Sequence, residues 1–415
     1  MSNKVLKKQQ RMLREIIFAC LMAMLVTTIS FVGVLQAKKK AKPLKNISLI
    51  YITKKYADPA PLSLVDKIIE DKGLRGAELS NSDNNRAAKF VGLNFELKTI
   101  IVDEKKDVRS ELKQHLLNGN KLIIADLKEP DILRIADMKE AKDALIFNVY
   151  SSSDRLRGED CRSNLFHIMP SWEMRADAMS QYLVWKQWKK WFLVYGKSPI
   201  DLDYANAIKK SANKYRMKVV EERSYKFEAG NRRIDSGHQQ IQTQMPRLTQ
   251  AAKEHDVVFV ADAAEAFGEY LLFRTEKPRP VVGSHGLISV AWHRSFEQYA
   301  GMQMQNRFEK FAKRIMTERD YTAWLATKIF GKTMIRIKSE KPEDIKNYIL
   351  SDKFNVAGFK GRGMTFRPWN RQLRQPILLT GAKALVSISP QDGFLHPHFQ
   401  TDTLGVDKPN NKCRL

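Results

Sequence analysis

Residues 144–179 read ALIFNVYSSSDRLRGEDCRSNLFHIMPSWEMRADAM, and this stretch decides the fold. It begins with an apolar run, 144–149, which has the length and composition of a strand buried on both faces. A second apolar run, 165–169, stops at Pro170, and a new helix is predicted to begin behind Ser171. The stretch therefore predicts a strand, a polar connection, a second strand and then a boundary between two parts of the chain.

A hydroxyl-rich turn follows the first of these strands, at residues 150–153. In open α/β sheets ligands bind beyond the carboxyl ends of the strands, where backbone N–H groups and hydroxyls are available. The turn is therefore a candidate ligand site. The alternative is an ordinary helix cap, in which Ser153 or Asp154 caps a short helix and nothing is bound. The turn alone leaves both interpretations open.

Strands and helices are predicted to alternate on both sides of the Pro170 boundary. Before it, we expect strands at 47–53, 95–102, 121–125 and 144–149, and helices at 64–74, 108–117 and 130–138. After it, we expect strands at 191–195, 218–223, 256–261 and 279–283, and helices at 174–188, 203–215, 241–255 and 263–273. Such alternation is typical of βαβ units with a parallel sheet. Two series in succession predict two α/β lobes.

The last third of the chain has a different character. A mostly helical stretch is predicted at 296–330, a strand at 333–337, a short helix at 342–350, paired strands at 376–380 and 384–388, and mostly loop from 389 onward. A chain of 415 residues is too long for one simple core, which again favours two domains. Its formal net charge of +25 is scattered along the chain, without the aromatic-basic motif of a nucleic-acid-binding module. We therefore expect no nucleic-acid partner.

The N-terminus predicts export from the cytoplasm. A basic segment containing Lys4, Lys7 and Arg14 precedes an uncharged apolar run at 16–35, and a cleavage site is predicted before Lys38. Residues 1–37 are interpreted as a signal peptide, with a retained membrane anchor as the alternative, and residues 38–46 as a basic linker. Either interpretation predicts that everything after residue 37 is exported.

Two cysteines, Cys161 and Cys413, follow the predicted cleavage site, and an even count in an oxidising compartment predicts a disulfide between them. No nucleotide-binding, nucleophile-elbow or zinc-protease motif is present. His396 and His398 lack partner ligands at a recognisable spacing, so no metal site is predicted. The sequence therefore gives no case for an enzyme, for catalytic residues or for a cofactor.

The order of several segments resembles the type 1 periplasmic solute-binding proteins, in particular the branch that binds branched-chain amino acids for ABC transporters. The resemblance lies in NVYSSSDRL (148–156) with NLFHIMPSWEMRADAMSQYLV (164–184), WFLVYGKSPIDLDYANAI (191–208), DVVFVADAAEAFGEYLLF (256–273) and GFKGRGMTFRPWNRQLRQPILL (358–379). The chain also resembles the members found alongside PQQ-dependent alcohol dehydrogenases.

The resemblance implies two Rossmann-like lobes with parallel sheets, joined by three crossovers and closing on a ligand. Lobe 1 is expected at 47–167 plus 290–350, and lobe 2 at 168–289 plus 351–415. The implied function is capture of a small polar or anionic, amino-acid-like solute by a monomer that serves an inner-membrane ABC permease. The alternative is a ligand-binding accessory or sensor protein of a periplasmic PQQ-dependent dehydrogenase.

The resemblance also implies a set of ligand-binding residues. Ser151 and Ser152 match the family's carboxylate-binding loop, with Tyr150 and Ser153 on either side, and Tyr195 matches an aromatic residue that faces the ligand from lobe 2. His285 replaces the acidic residue that pairs with the ammonium group of amino acids. Asp262 or Glu265 could supply that missing charge from a shifted position, although each suits the N-terminal end of the predicted helix equally well.

Overall fold

The computed structural model describes residues 3–32, 44–57, 68–226 and 238–415. The chain divides into two compact units, Met1–Leu44 and Lys45–Leu415. The first unit holds one helix, α1 (Asn3–Val32). Among the described residues, no helix has both the length and the hydropathy required to cross a membrane. The predicted cleavage site lies outside the described residues.

The described part of the second unit is built on two larger β-sheets and a small two-stranded one. Its strands are β1 (Lys45–Lys54), β2 (Leu93–Val102), β3 (Leu122–Asp126), β4 (Leu145–Asn148), β5 (Leu165–His167), β6 (Lys190–Gly196), β7 (Lys218–Tyr225), β8 (Val257–Ala261), β9 (Val281–Gly283), β10 (Leu287–Val290), β11 (Val356–Ala357), β12 (Gly363–Met364), β13 (Ile377–Thr380) and β14 (Leu385–Ser389). In the described part of the chain the first sheet is entirely parallel, in the order β2-β1-β3-β4-β5.

The second sheet has the order β14-β13-β10-β9-β8-β6-β7. Its strands are parallel from β10 to β7, and the two strands at the other edge, β13 and β14, are antiparallel. The helices of this unit are α2 (Leu74–Ala88), α3 (Val108–Leu117), α4 (Glu129–Ala136), α5 (Trp172–Trp185), α6 (Pro199–Lys214), α7 (His238–Thr249), α8 (Gly268–Leu271), α9 (Gly301–Ala312), α10 (Glu318–Ile337) and α11 (Pro342–Ile349).

Helices cover both faces of each sheet, as parallel sheets require. In β1, Leu49 and Tyr51 face a core shared with α2 and α10, whereas Ile50 and Ile52 face a core shared with α3 and α4. The second sheet likewise separates two cores. Each lobe is therefore a three-layer α/β unit with its own hydrophobic interior.

Within the described residues, the chain crosses between the two larger sheets three times. Residues 168–171 lead from β5 to α5, residues 291–300 lead from β10 back to α9, and residues 365–376 lead from β12 to β13. The last crossing touches the first, because Gln372 pairs with His167. This arrangement confirms the predicted two-lobed α/β fold with three crossovers. The exact limits of the lobes stay a prediction. Phe354 and Phe366, which lie in the segment expected in lobe 2, pack in the core beside the first sheet.

Three predicted elements differ from the structure. Residues 333–337 are not a strand but the end of α10, because Phe330 and Met334, four residues apart on one face of the helix, are buried in the core beside the first sheet. Residues 263–273 hold only the one-turn helix α8. The predicted helix at 64–74 lies partly outside the described residues, and α2 begins at Leu74, where that prediction ended.

Candidate functional site

The candidate site is the region between the lobes at the carboxyl ends of the two sheets, here called the interlobe cleft. Glu129 begins α4 directly behind β3 of the first sheet, and Asp203 lies in the first turns of α6, behind β6 of the second. Burial, and then the negative charge of Glu129, raise the pKa of Asp203. The carboxylates of Glu129 and Asp203, one behind each sheet, are therefore close enough for their charges to interact.

Asn148, the last residue of β4, shapes the predicted serine turn. Its Oδ1 accepts hydrogen bonds from the N–H groups of Tyr150 (3.1 Å) and Ser151 (2.8 Å), and its Nδ2 donates to the carbonyl of Ser151 (2.8 Å). Two of the backbone N–H groups expected to be free are therefore occupied. The turn is held by an asparagine side chain, a common device after a strand.

The remaining groups of the turn differ in their partners. Ser151 Oγ accepts a hydrogen bond from Ser153 N–H (3.3 Å), and the Ser152 carbonyl accepts one from Trp172 N–H (2.9 Å). Within the described residues, neither the N–H nor the hydroxyl of Ser152 has a partner, and the buried Ser153 Oγ has none either. The short 3-10 turn directly behind the serine turn, Arg155–Arg157, has no side-chain cap from Ser153 or Asp154, and the Asp154 carboxylate accepts instead from Glu173 N–H at the start of α5 (3.1 Å).

A buried ion pair lies beside the turn. Arg319 donates from Nε (3.0 Å) and a terminal nitrogen (2.7 Å) to the carboxylate of Asp126, which is fully buried at the end of β3. The guanidinium lies 4.2 Å from the centre of the Tyr150 ring. Burial lowers the pKa of Arg319, but the charge of Asp126, the hydrogen bonds to it, and the nearby Tyr150 and Tyr51 together outweigh burial, so the net pKa is raised. Arg319 therefore stays charged and fixes the Tyr150 ring.

The predicted residues of the second lobe lie at neighbouring strand ends. Tyr195 is half-buried near the end of β6, opposite Ala261 of β8, and Lys209 Nζ lies 5.9 Å from its ring centre. Asp262 follows β8, and His285 follows β9. The structure thus brings Tyr195, Asp262 and His285 to the carboxyl end of three neighbouring strands in the second sheet.

Asp262 is fully buried and its carboxylate is occupied by backbone groups. It accepts hydrogen bonds from the N–H groups of Ala266 (2.9 Å), Phe267 (2.8 Å) and Gly268 (2.6 Å). These bonds replace the first turn of the helix predicted at 263–273, which explains its shortness. Glu265 is exposed and adopts a positive φ of 55° in this loop.

His285 packs against the same loop. Its Nδ1 lies 3.0 Å from Ser284 Oγ, and the Ser284 hydroxyl oxygen accepts from Asp262 N–H (3.0 Å). A Cβ atom at Gly268 would lie 2.2 Å from the imidazole, so only glycine permits this approach. Asp262, Ser284 and His285 therefore form one cluster. The ligand-binding role of all eight candidate residues stays a prediction.

The C-terminal tail is joined to the loop behind the serine turn. Cys161 and Cys413 form a disulfide with a Cα–Cα distance of 5.6 Å. The ring of His396 lies 5.8 Å from that of His398 and its Nε2 is 3.5 Å from Asp407. Among the described residues no group of three or more His, Cys, Asp or Glu side chains could hold a metal ion.

Three important residues were not identified from the sequence: Asn148, Arg157 and Arg319. Arg157 is buried and donates to the carbonyls of Ser151 (3.0 Å), Ser153 (2.7 Å) and Met169 (2.7 Å), so it links the backbone of the serine turn to the first crossover. One signal was available for Arg319. A cation in the first turn of a helix is disfavoured by the helix dipole, which suggests a specific partner.

Comparison with known proteins identifies the class to which this fold and cleft belong. The family model described as periplasmic binding protein matches residues 74–384. The chain therefore belongs to the periplasmic binding protein family, whose members are located in the periplasm. A search of the curated proteins finds no match.

Solved structures of the same class are similar in fold at low sequence identity. A branched-chain amino-acid ABC transporter periplasmic ligand-binding protein from Burkholderia xenovorans has a TM-score of 0.68 at 14% identity, covering 88% of this chain and 99% of that one. The leucine-, isoleucine-, valine-, threonine- and alanine-binding protein from Brucella ovis, in a closed conformation, has a TM-score of 0.66 at 12% identity, with 89% and 99% covered. An ABC transporter solute-binding protein from R. palustris, in complex with benzoate, has a TM-score of 0.60 at 14% identity, with 90% and 100% covered.

Proposed function

We propose that this protein is a non-catalytic solute-binding protein that captures a small organic carboxylate in the interlobe cleft. The lobes would close on the solute by a hinge motion at the three crossovers and present it to an inner-membrane ABC permease. We propose that it acts as a monomer, since each lobe already buries its own cores.

The observation that carries this proposal is the set of free donors at the serine turn. The buried hydroxyl of Ser153 has no partner among the described residues, and the hydrogen bond observed there for Ser152 uses its carbonyl, which leaves its N–H and hydroxyl available. Hydrogen bonds from such donors to a charged acceptor are stronger than those to a neutral one. The Tyr150 ring, held by Arg319, would provide an apolar surface for the rest of the solute.

The second lobe favours a carboxylate without an α-ammonium group. Asp262, the acid that could have paired with an ammonium, accepts three backbone N–H groups instead. His285 occupies the other expected position and is held against Ser284 and Gly268. A carboxylate such as benzoate, which is bound by the relative from R. palustris, fits these groups better than leucine, which is bound by a relative from Desulfitobacterium hafniense.

A thermal-shift screen of the full chain tests this function. We would compare benzoate, aliphatic carboxylates, leucine and other amino acids, alcohols and aldehydes. A bound ligand raises the melting temperature by mass action, equivalent to about 2.7 kcal/mol at a hundredfold excess over Kd. We expect the melting temperature to rise with carboxylates that lack an α-ammonium group and to stay unchanged with leucine. A shift with amino acids alone would contradict the proposed ligand class, and shifts with alcohols or aldehydes alone would favour the accessory role beside a dehydrogenase.

A further inference from the structure

The C-terminal segment, residues 399–413, runs from the second lobe to the first. It follows β14, the edge strand of the second sheet, and contains only short 3-10 turns, Gln400–Thr403 and Lys408–Asn410. It is therefore a connection between the lobes in addition to the three crossovers. Its attachments fall into three groups.

The first group fastens the segment to the second lobe. Lys214 of α6 donates to the carbonyls of Thr403 (2.8 Å) and Gly405 (3.0 Å), and Gly405 N–H donates to Asp177 of α5 (2.7 Å). Leu404 is fully buried in the core that contains α5 and α6. These contacts combine a buried carboxylate, a lysine and an apolar anchor, so this part of the segment is fixed to lobe 2.

The second group fastens the segment to the third crossover. Asp402 is buried and accepts from Arg367 Nε (2.7 Å) and Arg374 Nε (2.9 Å), both of which lie between β12 and β13. Arg367 also donates to the carbonyls of Thr401 and Leu404. Removing one partner from a buried ion network of this kind is strongly unfavourable. The segment therefore cannot leave the hinge without exposing these charges.

The third group fastens the segment to the first lobe. Cys413 forms the disulfide with Cys161, and Asn411 Nδ2 donates to the carbonyl of Arg157 (3.1 Å). Arg157 in turn donates to backbone carbonyls of the serine turn. The far end of the segment is thus bonded covalently to lobe 1, one residue contact away from the candidate ligand site.

We propose that residues 399–413 are a fourth connection between the lobes, which limits how far they separate and holds the serine turn in its binding shape. Two lobes joined only by three crossovers can rotate apart until the crossover segments resist further rotation. A segment bonded to both lobes adds a tether across that rotation. Its effect on solute affinity rests on the proposed function, but its effect on lobe separation does not.

Distances between nitroxide labels on the two lobes test the proposal in the absence of any ligand. The labels are placed by Leu117→Cys in α3 and Trp185→Cys in α5, both exposed positions, in a full chain carrying Cys20→Ser. Double electron–electron resonance is then recorded with and without Cys161→Ser together with Cys413→Ser. We expect the distance distribution to broaden and shift to longer distances when the disulfide is absent. An unchanged distribution in the folded double variant would overturn the proposal.

A second variant keeps the test decisive if the loss of the disulfide prevents folding. Lys214→Met removes two attachments to lobe 2 while the disulfide stays intact, and it should also broaden the distribution. Lys189→Met, which changes an exposed lysine of the same lobe, is the matched control and should leave it unchanged. Equal distributions for Lys214→Met and Lys189→Met would overturn the proposal. If no solute binds, the proposed function is contradicted. The label distances are measured without ligand and still test whether the C-terminal segment limits lobe separation.

Discussion

The side chains of Asn148 and Arg319 organise the first-lobe side of the cleft, and both do so by holding candidate ligand-binding residues in place. Asn148 binds the backbone of the serine turn, and Arg319 binds Asp126 while it supports Tyr150. From the sequence, the hydroxyls of the turn could be predicted because they follow an apolar run. The pairing of Arg319 with Asp126 could not, since these residues are 193 positions apart.

Replacing Arg319 with Met should lower the free energy of unfolding by about 3–5 kcal/mol, because it leaves the Asp126 carboxylate buried without a positively charged partner. Urea unfolding measures this loss. The matched control is Arg307→Met, which breaks a more exposed pair with Asp83 and should cost about 0–1 kcal/mol. Equal losses in the two variants would show that the Asp126 pair has no special role in stability.

At the level of elements, the ends of β4 and β5 are joined through His167. Asn148 Oδ1 is occupied by two backbone N–H groups, so its Nδ2 faces His167 Nδ1 at 3.2 Å. The ring nitrogen must then accept, and the imidazole is neutral with its proton on Nε2. Burial, and next the charge of Arg157, lower the pKa of His167 well below its ordinary value of 6.5. The shape of the serine turn therefore depends on a neutral histidine.

The stability of the protein should fall as the pH decreases below about 6.5, in part through His167. The unfolded chain binds this proton at a higher pH than the folded chain does, so each unit of pH below that value lowers the free energy of unfolding by up to about 1.4 kcal/mol, until the folded-state pKa is reached. His167→Gln should show a smaller loss between pH 7 and pH 5.

Urea unfolding at several pH values makes this comparison, with His398→Gln as the control because His398 is exposed. The control should retain the pH dependence of the unchanged protein. If His167→Gln retains it as well, protonation of His167 is not what weakens the fold at low pH.

Most elements could be predicted from the sequence because buried parallel strands are continuous apolar runs between amphipathic helices. The failures have local physical causes. Residues 333–337 contain Thr333, Ile335 and Ile337, which favour strands, but packing of α10 against α2 maintains the helix. β10 was missed because Leu287–Val290 is a short strand close behind β9. The loop after β8 was mistaken for a helix because the bonds of Asp262 to Ala266, Phe267 and Gly268 cannot be deduced from sequence alone.

For the whole molecule, the disulfide closes a loop that contains more than half of the chain. Cys161 and Cys413 are 252 residues apart, so their bond restricts the unfolded chain strongly. Cys161→Ser together with Cys413→Ser should lower the free energy of unfolding by about 2–5 kcal/mol. Urea unfolding tests this, with Cys20→Ser as the control because Cys20 is exposed and unbonded. A loss no larger than that of the control would contradict a stabilising role for the bond.

The central claim is that the serine turn binds the carboxylate of a solute between the lobes. Titration calorimetry of Ser152→Ala with benzoate, or with the carboxylate that gives the largest thermal shift, tests it most directly. Ser163→Ala, an exposed hydroxyl in the same connection, is the control. We predict that Ser152→Ala loses about 1–3 kcal/mol of affinity, roughly 5- to 150-fold in Kd, with an unchanged melting temperature. Equal affinity in Ser152→Ala, Ser163→Ala and the unchanged protein would contradict the claim.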